Sequence, residues 1–399
     1  MTRDRLGQVA GYVTLAVFLV AALLSLIGPL QDSPGEANLY ALQADAFLHG
    51  RLHLTQHFHD TAVFQGRFYV PFPPFPALLV MPIVALVGLH QTNMVLVSLL
   101  LAVGSVFVLA SVFRRLAVPR QTAIWLLAAF FLGTSYWGSV HMSRGVWFTA
   151  HIVSAACLLL AINEALGKRR GLLVGLLLGF SFLSRQFTLF YAPFLAALLW
   201  WRSEQAPIRR RWLRLLWLAV GVGLCGAGYL WFNWARFGNP LDTGYNYLRL
   251  GGMLQERFAR HGLFSARYLW FNLYEMFVQG FHVDFTDASQ LLGWERNPFG
   301  TSLVVASPFL LLAFRARWNR WVLAAAWVGT VAILAPTMLY YNNGWWQINA
   351  QRFSMDFVPV LILLTALGAK RGLGPYWKGA ILWSLFLNAL AWMIIPALA

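Results

Sequence analysis

Residues 8–30 read QVAGYVTLAVFLVAALLSLIGPL, twenty-three positions without one charged side chain. A helix over this stretch reaches about 34 Å, enough to cross a hydrocarbon core of about 30 Å. It is too long for a signal-peptide core and lacks a small-residue cleavage site, so it reads as a retained first span. Further apolar windows fall at 76–89, 92–113, 121–138, 146–166, 171–183, 187–201, 213–234, 299–314, 321–341, 354–369 and 376–397. The 399 residues are 59% hydrophobic and 11% charged, too little polar surface for a chain folded in water. The 19 Trp and 13 Tyr suit headgroup-level aromatic belts. Cys157 and Cys225 both fall inside apolar windows and read as small core residues, with no disulfide or zinc spacing.

Charge sorts these windows. If all of them crossed the bilayer, the basic clusters would alternate sides, against the positive-inside rule. Window 76–89 follows Pro73 and Pro74 and carries Pro76 and Pro82. It spans only about 21 Å, and reads as an outer juxtamembrane or re-entrant segment. The expectation is therefore an all-α polytopic membrane protein with about eleven transmembrane helices, N-terminus inside and C-terminus outside. Nineteen of the 30 basic residues then lie on the inner side, in clusters around Arg3, Arg114, Lys168, Arg209, Arg317 and Lys370. With only Asp4, Glu164 and Glu204 beside them, that side carries the whole net charge of +16. A nucleic-acid partner has nothing left to explain. The chain reads as one membrane domain, 1–399, with a first outer loop at 31–91 and a large outer loop at 235–298. All nine histidines fall at or near the outer side, which marks it as the working face.

In the first outer loop, Ser33-Pro34-Gly35-Glu36 fits a capping box, and Gly50 fits a stop, so 34–49 predicts a helix lying at the membrane surface. On that helix Glu36, Tyr40, Gln43 and Phe47 share one face, and Asn38, Asp45 and His49 the other. Glu36 has a capping role available, Asp45 a solvated one, and Asp60 a place in a turn after Phe58-His59. His49, His53 and His57 would present imidazoles to a metal only if the helix ran past Gly50; a polar strip facing headgroups is the competing account.

An acid-bearing outer loop with Tyr40, followed by Gly66-Arg67-Phe68-Tyr69 and a Pro-Pro pair, resembles the GT-C glycosyltransferases. The nearest branch is that of the protein O-mannosyltransferases and aminoarabinose transferases. Those enzymes carry Asp-Glu-x-x-Tyr after the first span, then a Lys-Pro-Pro-Leu-like motif. Here Glu36 and Ala37 stand in the two acidic slots, and Phe72 replaces the Lys. The resemblance implies a GT-C-like fold and a polyprenyl-phosphate-linked sugar as donor. It leaves the base open among Glu36, Asp45 and Asp60.

Arg185 divides the half-length windows 171–183 and 187–201, a costly place for a cation in lipid. The resemblance assigns such a residue to the lipid phosphate; snorkelling to headgroups is the alternative. Gly344-Trp345-Trp346-Gln347 leads to Arg352 and Asp356, resembling the Arg-aromatic motif of the last outer loop in these transferases. Arg352 is the second phosphate candidate, and a salt bridge to Asp356 is its competing account. His141 and Arg144 in the second outer loop are weaker substrate-binding candidates, with Tyr40 and Arg67 beside them. That loop lacks the acid a two-carboxylate metal site needs. No metal ligand or cofactor is assigned, and a divalent metal, though compatible, is not favoured. Asn233–Tyr245 reads as a helix exit and turn leading into a roof over an outer cavity.

The functional expectation is an inverting glycosyltransferase in the bacterial cytoplasmic membrane, active face outward. Its partners would be a polyprenyl-phosphate-sugar donor, membrane lipid and an unidentified acceptor. The alternatives are a lipid-linked substrate transporter or flippase and a catalytically inactive scaffold of the same fold.

Overall fold

The computed structural model describes residues 3–287, 292–296, 298–342, 344, 347 and 349–394. The chain is mostly helical, and among the described residues five helices are long and apolar enough to cross a membrane: Gly7–Gln31, Met94–Arg115, Val146–Leu166, Ile208–Phe237 and Arg320–Met338. Arg120–Leu132 and Ser135–His141 make a sixth if counted as one span bent by 48°. Phe75–Val87, Gly171–Phe182, Gln186–Trp201 and Val358–Gly368 are apolar but shorter. This is the pattern of an all-α membrane protein.

Val146–Leu166 forms the axis of the bundle, with 83% of its apolar window buried. Met94–Arg115 and Gly171–Phe182 pack along it, and Ile208–Phe237 packs on the far side of Gly171–Phe182. That last contact depends on a small-residue row. A methyl group on Gly171 would strike the Arg214 carbonyl oxygen, one on Gly175 the Leu218 carbonyl oxygen, and one on Gly179 the Cys225 Sγ. Lipid offers no hydrophobic gain for pairing helices, so close approach and dispersion must supply the attraction.

Two windows depart from straight spans. Over 299–314 the chain forms only the four-residue helix Leu303–Ala306 and a 3-10 run, Pro308–Arg315. Pro308 lacks the N–H that would carry one helix into the next. Over 354–369, the helix proper is Val358–Gly368, eleven residues, and every residue from Val358 to Leu367 is buried in protein.

The first outer loop also differs from its prediction. A 3-10 turn, Gly35–Ala37, precedes the helix Leu39–Leu48, and the cap is Asn38, whose Oδ1 accepts from the Tyr40 N–H at 2.8 Å. Ser33 instead donates its hydroxyl to the Pro29 carbonyl. Asn38 Nδ2 donates to the carbonyls of Ser143 (2.9 Å) and Arg144 (3.1 Å), docking the loop on the start of the axial helix. Leu39, Tyr40, Ala41, Gln43, Ala44 and Ala46 are buried, so this helix lies within the protein rather than on a membrane surface. Beyond Gly50 (φ 68°) the helix has ended, and Leu54 bridges to Phe68. The four-residue spacing of the histidines therefore never becomes a helical face. His53 and His57 set their rings edge-on to Tyr69 and Phe68. Ala62–Phe64 and Arg67–Tyr69 pair as a hairpin. Gln65 (φ 48°) and Gly66 (φ 74°) close it, since a two-residue turn that matches strand twist needs both in the left-handed region.

The helices sort the charges by end. Arg115 Nε donates to Asn163 Oδ1 (2.9 Å), Arg170 Nη2 pairs with Glu164 (2.9 Å), and Arg169 donates to the Arg202 carbonyl. Arg315 lies over the Trp377 ring. Trp147 and Arg185 occupy the opposite ends of the helices that lead to these groups. One end of the bundle is basic, and the other holds the cavities.

Candidate functional site

At the non-basic end, a cavity of about 690 Å³ is lined by Tyr40, Asp60, Phe72, Pro73, Trp147, Arg185, Arg352 and Asp356, with residues of 243–264 over it. The long helix Ile208–Phe237 ends at Gly238 in the left-handed conformation, as its sequence predicts, and releases that covering segment. Arg236, buried under Phe232 and Phe237, donates to the Val70 carbonyl at 2.7 Å and so anchors the strand leading to Phe72 and Pro73.

Arg185 sits at the corner between Gly171–Phe182 and the 3-10 turn Gln186–Tyr191. Ser154, Ser181 and Thr188 form a buried hydroxyl chain beneath that corner, and Thr188 Oγ1 donates to the Arg185 carbonyl at 2.7 Å. The guanidinium grips Asp356 bidentately, Nε to Oδ1 at 2.9 Å and Nη2 to Oδ2 at 2.8 Å. His151 Nδ1 donates to the same Oδ1 at 3.1 Å. The partner of Asp356 is therefore Arg185, 171 residues away, rather than Arg352 four positions before it. The 3-10 turn Arg352–Asp356 separates those two side chains.

Arg352 is buried, with its backbone N–H on Gln347 Oε1 (2.8 Å) and its Nη1 on the Gly344 carbonyl (3.3 Å). Its guanidinium lies over Phe148 and Phe353. Burial, reinforced by the charge of Arg185, pushes it down to about 9. Trp345 and Trp346 lie outside the described residues.

Asp60 occupies a turn in the left-handed region (φ 64°), closed by Thr61 Oγ1 donating to the Phe58 carbonyl at 2.7 Å. Outside glycine, that conformation favours Asn and Asp. The carboxyl is buried, and Oδ2 makes no hydrogen bond among the described residues, though His59 Nε2 stands 3.6 Å away. Burial raises its pKa above the ordinary aspartate value, opposed in part by the nearby positive charges of His59 and Arg352.

The remaining candidates separate. A second cavity, of about 740 Å³, contains Glu36, His141 and Arg144 and shares His59, Asp60 and Trp147 with the first. Glu36 meets His90 Nδ1 at 3.2 Å, and Arg144 meets Asp32 at 2.9 Å. Asp45 lines neither cavity and lies near His49 and Arg51. Arg67 is exposed on the hairpin turn, away from both. Of the predicted residues, Tyr40, Asp60, Arg185 and Arg352 come together. Sequence reasoning missed His151 and the cavity phenols Tyr245, Tyr340 and Tyr341, which carry no motif and converge only through the fold. Among the described residues, no group of three or more His, Cys, Asp or Glu is placed to hold a metal. No family model matches the chain, nor does any curated protein or solved structure.

Proposed function

We propose that the chain transfers a sugar from a polyprenyl-phosphate-linked donor to an acceptor hydroxyl, with inversion at the anomeric carbon. The observation that carries this reading is the first cavity, where the half-buried guanidinium of Arg185, the buried one of Arg352 and the buried carboxyls of Asp60 and Asp356 face one space under partly apolar walls. Asp60 takes the acceptor's proton as the acceptor oxygen bonds to the anomeric carbon. The bond from that carbon to the phosphate oxygen breaks, and its electron pair leaves with the lipid phosphate. Arg185 and Arg352 offset the charge that appears there. Glu36 and Asp45 give up their candidacy as base, the first to a contact with the His90 imidazole at the second cavity and the second to a position outside both. The reading carries the GT-C likeness with it. It takes about eleven crossings, the N-terminus and basic end in the cytoplasm, and the cavities on the outer face of a bacterial inner membrane.

The test uses the purified chain in nanodiscs with a polyprenyl-phosphate-linked sugar and its acceptor. Asp60→Asn is expected to lower transfer by about 100-fold to 10,000-fold, the usual range for a general base. Asp45→Asn should stay close to wild type. Because only ionised Asp60 accepts a proton and burial raises its pKa, the rate should rise with pH, with its inflection above the ordinary aspartate range. Full transfer by Asp60→Asn would sink the mechanism. The trio of buried His151, buried Asp356 and half-buried Arg185 favours a second reading, proton-coupled movement of the same lipid-linked anion. Flux in proteoliposomes without sugar transfer would select it, and bound lipid with neither flux nor transfer would indicate an inactive scaffold.

A further inference from the structure

The second cavity adjoins the first, and His59, Asp60 and Trp147 line both. Its remaining surface is unlike the first in two respects. Its charged groups already hold partners at the rim: Arg144 pairs with Asp32 at 2.9 Å, and Glu36 contacts the His90 imidazole at 3.2 Å. All four of those side chains are at least 44% exposed, so the rim is wet. The floor is aromatic, with Phe58, Trp147 and Phe148. A charged ligand would have to break these pairs, whereas a neutral one with many hydroxyls can bridge them by donating to carboxylates and accepting from the guanidinium. An aromatic floor beneath a polar rim suits a ring with one apolar face and a polar edge.

We propose that this second cavity binds the sugar ring of a neutral, uncharged acceptor, with one hydroxyl turned toward Asp60 where the two cavities meet. The proposal rests on the transfer reading for the meaning of "acceptor", while the binding site itself stands on the cavity. It also gives Glu36, His141 and Arg144 a common role as acceptor-binding residues, which no part of the first cavity requires. The ring can arrive as a free glycoside or as the headgroup of a glycolipid, because the cavity reaches Gly28 and Pro29 at the end of the first span.

The experiment measures binding apart from turnover. The full chain in nanodiscs is probed with methyl glucoside, methyl galactoside and methyl mannoside by saturation-transfer NMR. In a second arm the discs carry monoglucosyl diacylglycerol, and retained lipid is read by native mass spectrometry. Ala37 is exposed and lines only this cavity, so Ala37→Trp fills the mouth without touching the core. Met142→Trp, at another position that lines only this cavity, is the second filling variant. Leu254→Trp obstructs only the first cavity and serves as the control.

A signal in either arm that falls at least 10-fold in both filling variants, and persists in Leu254→Trp, is the expected result. The arm that responds names the source of the ring. No binding in wild type in either arm, or binding untouched by both filling variants, overturns the proposal. Glycoside binding that behaves as expected in a chain with no transferase activity leaves the site intact and sinks the transfer reading instead.

Discussion

The two ends of the bundle use arginine in opposite ways. At the basic end Arg170 is exposed and pairs with Glu164, while Arg115 and Arg169 spend their donors on a side-chain amide and a backbone carbonyl. At the cavity end Arg185 is held by Asp356, which also accepts from His151, and Arg352 is buried against Phe148 and Phe353. A guanidinium in water costs little and is worth little, whereas one withdrawn from water must be matched by partners or by a ligand. Charge count marks the first end, and burial marks the second.

The sharpest way to break this contrast is Arg185→Gln. It strands the Asp356 carboxylate with His151 alone, and removal of one member of a buried pair costs about 3–5 kcal/mol. Thermal unfolding in detergent should show a clear fall in midpoint, and donor binding should be lost. Adding Asp356→Asn to the same chain should restore most of the stability and none of the donor binding. A double variant that binds donor normally would remove Arg185 from the site.

A smaller effect is expected at the helix contact between the two ends. Gly175→Val drives a branched side chain into the Leu218 carbonyl, and overpacking of this kind costs about 1–3 kcal/mol. Gly223, which has open space around its Cβ position, is the control, and Gly223→Ala should leave the midpoint unchanged. Equal losses at both glycines would mean that the close approach is not what holds the pair.

Glu275 tests whether burial without a full partner also matters away from the cavities. It lies in the helix Leu269–Phe277, its Oε2 has no hydrogen bond among the described residues, and burial raises its pKa to about 7. A carboxyl whose folded pKa exceeds its unfolded value stabilises the fold below the unfolded pKa, here 4.5, and loses that contribution as pH rises through about 7. Melting midpoints between pH 5 and pH 8 should therefore fall with pH in wild type and flatten in Glu275→Gln. The smallest effect is expected from Arg170→Ala at the basic end, with no measurable change in midpoint or activity; a marked loss there would erase the distinction between the ends.

Much of this was legible in the sequence, and the reasons it stopped where it did are physical. The long apolar runs, the short Pro-rich window 76–89, the break at Arg185 and the left-handed exit at Gly238 are local properties, written in hydropathy, length and backbone preference. The first-loop cap was misjudged because Ser33-Pro34-Gly35-Glu36 satisfies a local rule that Asn38 outcompetes, through bonds to Ser143 and Arg144 over one hundred residues away. Three carboxylates looked equivalent because nothing local distinguishes Asp45, which meets counter-ions in the open, from Asp60, which a turn buries between two cavities.

Hydrophobic length and the distribution of arginine thus settle, from the chain alone, that this protein is helical, belongs in a membrane and gathers its positive charge apart from its histidines. Which charges lose their water was decided only when distant segments met. The Arg185–Asp356 pair, the meeting of Trp147 with His59 and Asp60, and the close approach at Gly175 each join segments that no sequence spacing relates. Desolvation depends on what surrounds a group in space, and that is a property of the packed molecule rather than of any stretch of it.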